Sequence, residues 1–299
     1  RLIIKYPTVV HLLEDFRELF CVPIEGNHDP LITIADILVL MPRLRCRYYS
    51  ISSAANTSPS EISMTVGVVN VVNNCNILVQ GVCSNYLAGV HEGDIIKASI
   101  VQSSFRAPPN ESHPVIMIGT GTGLAPFMGF IGDRFAAMKM SSSAGKKRFG
   151  QWHLYFGCRN DDESLYNDRL REFESDQVLS LHLAQSRQKG KPRKHVQDLL
   201  KENGKEVTMS LLSSDLTYFY ICGDVTIARE CSEACIDILR EHGGMSRLAA
   251  VHHITTMKMN GRWQLDVWGE GEAFIDNSDA GLEKMQKTSH KVWYDLFLQ

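Results

Sequence analysis

The chain has 299 residues, 44% of them hydrophobic and 22% charged, with a formal net charge of −3. That length fits about two domains of roughly 100–200 residues each, and the near-neutral charge argues against nucleic acid or an anionic membrane as the main partner. The apolar stretches are short and interrupted, and none approaches the roughly 20 residues that span a bilayer. The eight cysteines are scattered, without a Cys-x-x-Cys pair, so zinc and iron–sulfur spacings are lacking. A chain this long needs no disulfide staples, which points to a reducing, cytoplasmic setting. It opens on Arg1 rather than Met, with no visible signal peptide, and reads as a fragment of a longer protein.

In chain order, residues 6–20 place Val9, Leu12, Leu13, Phe16 and Leu19 on one helical stripe, and 31–40 form a second short helix. Three strand-like runs follow: Arg47–Ser53, Glu61–Val72 with Ile62, Met64, Val66 and Val68 on one face, and Asp94–Val101. Near residue 113 the character changes. Strand 115–118, helix 125–140, strand 152–156, helix 165–174, strand 179–184, helix 194–203, strand 218–222 and helix 225–242 alternate, as in an open parallel sheet covered by helices. Cys231 and Cys235, four apart on the last helix, read as buried small hydrophobes. The expected organisation is a helical segment over 1–46, a partial antiparallel β-barrel over 47–112, an α/β open-sheet domain over 113–269 and a tail over 270–299.

Six places could carry chemistry. Gly119-Thr-Gly-Thr-Gly-Leu-Ala-Pro-Phe127 joins a strand to a helix. Its glycines allow close backbone approach, the helix start offers unpaired N–H groups, and Pro126 suits a first helical turn. Ser186-Arg187, followed by Lys189, Lys191, Arg193 and Lys194, lies past a strand end and suits a dianionic monophosphate; taken alone it reads rather as a solvated basic loop. Arg47-Tyr48-Tyr49-Ser50 offers an Arg for a pyrophosphate, a Tyr for a flat ring and a Ser for a ring nitrogen, although alternating strand residues would explain it too. Gly81-Val82-Cys83-Ser84-Asn85 could make an anion nest. Cys222-Gly223-Asp224 puts a thiol at a strand end, where a purely structural cysteine is the plain alternative. In Asp266-Val267-Trp268 the Trp is either core or a cover for a flat ring.

Taken in order, and together with Phe156-Gly-Cys-Arg159 and Val196-Gln197, these residues resemble the ferredoxin–NADP reductase-like module of the diflavin reductases, over about residues 6–269. The resemblance implies an NADPH-dependent oxidoreductase that passes a hydride to FAD. Arg47, Tyr49 and Ser50 would hold FAD, with Tyr49 against its ring system. Thr65 and Gly67 would lie by the adenine-side strand, and Val82, Cys83 and Ser84 would bind the FAD pyrophosphate. Thr122 and Arg159 would hold the NADPH phosphates; Ser186, Arg187 and Arg193 would take the 2′-phosphate, with His195 and Gln197 nearby. Ser50, Cys222 and Asp266 would surround the point of hydride transfer, and Trp268 would cover the flavin.

Two departures stand out. His195 occupies a position where the family usually has Tyr, and the family's FAD barrel begins before residue 1. The resemblance further implies FMN and haem in domains outside this chain, and an FMN domain of the same polypeptide as partner. Segments such as RYYSISS and YICGDVT, and continuation past Trp268, lean toward the reductase region of the nitric-oxide synthases. That would bring calmodulin, through an upstream segment, and a homodimer; the microsomal NADPH–haemoprotein and sulfite reductase types are the alternatives. A non-catalytic nucleotide-binding module is the rival from another class.

Overall fold

The computed structural model describes residues 14–15, 32–41, 44–57, 59–73, 76–141, 148–213 and 216–269. All but residues 14–15 of the expected helix over 6–20, and the tail past Gly269, lie outside the described residues. The described chain forms two compact units: one from 47 and below together with 67–99, the other from 48–66 together with 100–269. Packing thus draws its boundaries differently from composition, because 48–66 folds onto the α/β body rather than with 67–99.

The first unit holds helix α1 (Ile34–Leu40), strands β1 (Asn70–Val72) and β2 (Leu78–Gln80), and helix α2 (Val82–Ala88). Thr33 and Asp36 cap α1 reciprocally. The Asp36 N–H donates to Thr33 Oγ1 at 3.2 Å and the Thr33 N–H to Asp36 Oδ2 at 2.8 Å. β1 and β2 pair antiparallel, Val71 opposite Val79. The β-content is thinner than the sequence leads one to expect. Glu61–Val72 yields only β1 and an isolated Met64–Ile51 bridge, and Asp94–Val101 forms no strand. Side chains of strand type need a hydrogen-bonded neighbour to become a strand, and none pairs with 94–101 among the described residues; Ile95 and Ile100 stand 90% and 72% exposed.

The second unit is a five-stranded parallel sheet: β3 (Val115–Thr120), β4 (Trp152–Cys158), β5 (Ser180–Gln185), β6 (Tyr218–Asp224) and β7 (Trp263–Trp268), in the order β5-β4-β3-β6-β7. Its helices are α3 (Ala125–Ser141), α4 (Asn167–Ser175), α5 (Val196–Glu202), α6 (Gly204–Ser213), α7 (Val225–Glu241) and α8 (Arg247–Met259). Helix α6, helix α8 and strand β7 go beyond the sequence expectation. Both faces of the sheet are buried, so β3 reads apolar throughout. Ile116, Ile118, Phe219 and Ile221 face a core closed by α5 to α8, in which Cys231 and Cys235 are buried as expected. Val115, Met117, Tyr220 and Cys222 face a second core with Phe127 and Ile131 of α3. Polar side chains cap the last two helices. Asp224 starts α7 by accepting from Thr226 N–H at 2.7 Å, and Ser246 starts α8 by accepting from Ala249 N–H at 3.2 Å.

One polar pair sits inside this apolar frame. His153 Nδ1 and His182 Nε2 are 3.4 Å apart, and His182 stacks on Tyr155 with ring centroids 4.3 Å apart. Burial pushes both imidazoles below their ordinary value; the Glu206 carboxylate opposes this for His153, while His153 adds to it for His182. A folded-state pKa below the unfolded one means that the unfolded chain takes up protons first as pH falls. The contribution of these two groups is therefore fully present above about pH 6.5 and declines as pH falls below it. We expect the urea midpoint to drop between roughly pH 7.5 and 5.5, and His153→Gln to flatten that dependence; a midpoint independent of pH in this window would refute it.

Candidate functional site

The strand order reverses between β3 and β6, and at such a point the carboxyl ends of the strands open a crevice where ligands bind. β3 ends in a 3-10 turn, Gly121–Leu124, that runs into α3. This turn lies against the end of β6: a Cβ on Gly123 would stand 2.1 Å from the carbonyl oxygen of Cys222, so only a hydrogen fits there. Thr122 is half-buried in the turn, and the first N–H groups of a helix have no partner within it. The turn thus fits a pyrophosphate.

Beside it lies a buried polar cluster. β6 and β7 pair with Cys222 opposite Asp266, so both side chains point to the same side of the sheet. Asp266 is only 6% exposed. Ser50 Oγ donates to Asp266 Oδ2 at 2.9 Å, and Cys222 Sγ lies 3.6 Å from the same oxygen. Burial raises the Asp266 carboxyl above its ordinary value, while the Ser50 and Cys222 hydrogen bonds pull it back. Burial, then the Asp266 charge, pushes the Cys222 thiol well up, so it stays protonated. Three residues far apart in sequence thus meet at one carboxylate. Tyr49 is half-buried next to Ser50, and Trp268, also half-buried, packs against the core that contains Tyr220 and Cys222.

The basic loop is more ordered than its composition suggests. The β4–β5 pairing continues past the strand ends: Ser186 N–H donates to Cys158 O at 3.1 Å and Arg187 N–H to Arg159 O at 2.7 Å, which sets Arg159 beside Arg187. Lys194 N–H closes the loop onto Gln185 O at 3.1 Å. Asp161, a residue outside every sequence motif, accepts from the side chains of Gln185 at 2.5 Å and Gln188 at 2.8 Å. Arg159 pairs with Glu163 at 3.3 Å and Lys194 with Glu202 at 2.8 Å. Among the described residues, Arg187, Lys189, Lys191 and Arg193 make no ion pair. His195 precedes α5, its N–H donating to Asp198 Oδ2 at 2.8 Å. Gln197 Nε2 donates to Glu230 Oε2 at 2.9 Å, while Gln197 Oε1 is buried without a partner.

Most of the remaining candidates belong to the first unit. Arg47 is exposed and donates to Arg45 O at 2.5 Å. Gly67 is exposed and Cys83 half-buried. Val82 opens α2, its side chain 65% exposed. Ser84 turns inward: its Oγ accepts from Val69 N–H at 3.1 Å and donates to Gly81 O at 3.3 Å. The hydroxyl therefore braces the Gly81 turn. Thr65, in the second unit, has its Oγ1 2.7 Å from Tyr166 Oη.

Residues 117–233 match the family model of the oxidoreductase NAD-binding domain and residues 27–86 that of the FAD binding domain. This chain carries the FAD-binding and NAD-binding domains of the diflavin reductase family. It is 35% identical to an NADPH–cytochrome P450 reductase of Drosophila melanogaster over 87% of its length and 36% of the relative's. It is 37% identical to a bifunctional cytochrome P450/NADPH–P450 reductase of Bacillus cereus over 77% of its length and 22% of the relative's. It is 31% identical to an inducible nitric oxide synthase of Mus musculus over 94% of its length and 24% of the relative's. The module thus spans about a third or less of the curated relatives it matches.

The seating of the turn is open to test. Gly123→Ala forces the turn and β6 apart, and we expect about 1–3 kcal/mol of lost stability together with loss of affinity for pyrophosphate-bearing nucleotides. A variant with the parental urea midpoint and nucleotide affinity would place the turn elsewhere.

Proposed function

We propose that the chain is an NADPH-dependent flavoprotein reductase module whose work is done where Ser50, Cys222 and Asp266 meet. The observation that carries this is the buried Asp266 carboxylate receiving the Ser50 hydroxyl and flanked by the Cys222 thiol, with the glycine turn packed against the same cysteine. NADPH supplies a hydride and FAD accepts it, so the cofactors carry the bond chemistry and the protein orients and tunes. The Asp266 carboxylate favours positive charge as it grows on the hydride donor. The Ser50 hydroxyl and the protonated Cys222 Sγ are proton-bearing groups that would orient the acceptor and hold a proton for it. Burial keeps water away and strengthens both effects. Trp268 closes the face. Arg187 and Arg193, without a carboxylate partner among the described residues, favour the 2′-phosphate that distinguishes NADPH from NADH.

In the whole protein, electrons would pass through an FMN domain of the same polypeptide to a haem acceptor. We favour the reductase part of a nitric-oxide synthase, acting in the cytoplasm with calmodulin and a second copy as partners. One observation supports this over the P450-reductase type. A match over 94% of the chain reaches past residue 269, because residues 1–269 are only about nine-tenths of it. Identity does not separate the two types, since the P450 reductases are at least as similar.

Anaerobic mixing of the chain with FAD and NADPH tests the core reading. The visible flavin absorbance should bleach, and no bleaching would leave a non-catalytic nucleotide-binding module. Arg187→Ala should raise KM for NADPH about tenfold or more, the loss expected for a charge-assisted contact, while leaving NADH unchanged; equal losses for both nucleotides would remove the 2′-phosphate assignment.

A further inference from the structure

Tyr166 lies outside every motif of the sequence, yet its placement is unusual. It immediately precedes α4 with φ 54° and ψ 27°. That is the left-handed region, which disfavours residues with a side chain. Starting a helix does not require this, and a residue kept in such a conformation is held by its surroundings. The tyrosine side chain is not deep core, since the residue is 39% exposed. What fixes it is the hydroxyl, 2.7 Å from Thr65 Oγ1 and 3.4 Å from Ser52 Oγ.

Those two partners belong to opposite arms of one hairpin-like segment. Ile51 bridges Met64 antiparallel, and Ser52 N–H donates to Ser63 O at 2.8 Å. The Tyr166 hydroxyl therefore stitches one arm to the other. The segment is fastened to α3 as well: Asn56 N–H donates to Asp133 Oδ1 at 2.9 Å, and a Cβ on Gly129 would stand 3.1 Å from Ser53 O. Ser50 and Ser52 are two apart on extended backbone, so they share a face. Ser52 meets Tyr166 and Ser50 meets Asp266. A slip of one residue would turn both serines away.

We propose that Tyr166 is a positioning residue for hydride transfer: its hydroxyl locks the register of the two arms and so presents Ser50 Oγ to Asp266. This rests on the reductase reading above. Tyr166 touches none of Ser50, Cys222 or Asp266 and acts through the segment alone.

Tyr166→Phe and Thr65→Val remove the same hydrogen bond from opposite sides, so one serves if the other fails to fold. In the full chain without added cofactor, amide hydrogen exchange at Ser52 should quicken about fivefold in each variant, the effect of one lost hydrogen bond. The double variant should add nothing further, and exchange at Met117 in β3 should not change. With FAD and NADPH, kcat for flavin reduction should fall about fivefold or more in Tyr166→Phe while KM for NADPH stays put. Unchanged Ser52 exchange, or faster exchange with an unchanged kcat, overturns the proposal. A parent chain that reduces no flavin overturns the reductase reading instead, with the exchange data still deciding whether the clamp exists.

Discussion

Asp266 is a carboxylate at 6% exposure, and a buried anion is tolerated only where donors meet it. Its two donors come from different parts of the chain, Ser50 from the arm over 48–66 and Cys222 from β6. The β6–β7 register has to set Cys222 opposite Asp266, and the arm has to lie where Ser50 can reach it. Much of the second unit follows from this: the close packing onto α3, the Ser52–Ser63 rung and the hydroxyl of Tyr166 all secure a segment whose end carries one hydrogen bond to one buried charge.

The parallel sheet was legible in the sequence because both of its faces are buried. Runs such as Val115-Ile-Met-Ile118 are apolar throughout, and helices of clear period separate them. Helices α6 and α8 carried weaker signals, Val207 with Leu211 and Ser246 with Ala250, Ile254 and Met257, spaced for a helix but shared among polar neighbours. The strands expected over 61–72 and 94–101 illustrate the limit: β-propensity reports a side chain's liking for a pleated surface, while the strand itself is a property of the pair.

The site was legible in a different way. Ser50, Cys222 and Asp266 were named through an ordered set of motifs, and their meeting follows from strand register, which no single motif contains. Asp161 and Tyr166 had no sequence signal at all. Each works through a hydrogen bond to a residue far along the chain, Asp161 to Gln185 and Gln188, Tyr166 to Thr65 and Ser52. Ser84 was legible as a small residue at a helix start, but its inward hydrogen bonds to Val69 and Gly81 are set by the approach of another strand.

Cys222 has two neighbours on two different atoms. Its carbonyl oxygen abuts the Gly123 turn, and its sulfur faces Asp266. The glycine turn and the buried carboxylate therefore lean on the same residue, so a displacement of β6 at Cys222 disturbs both together.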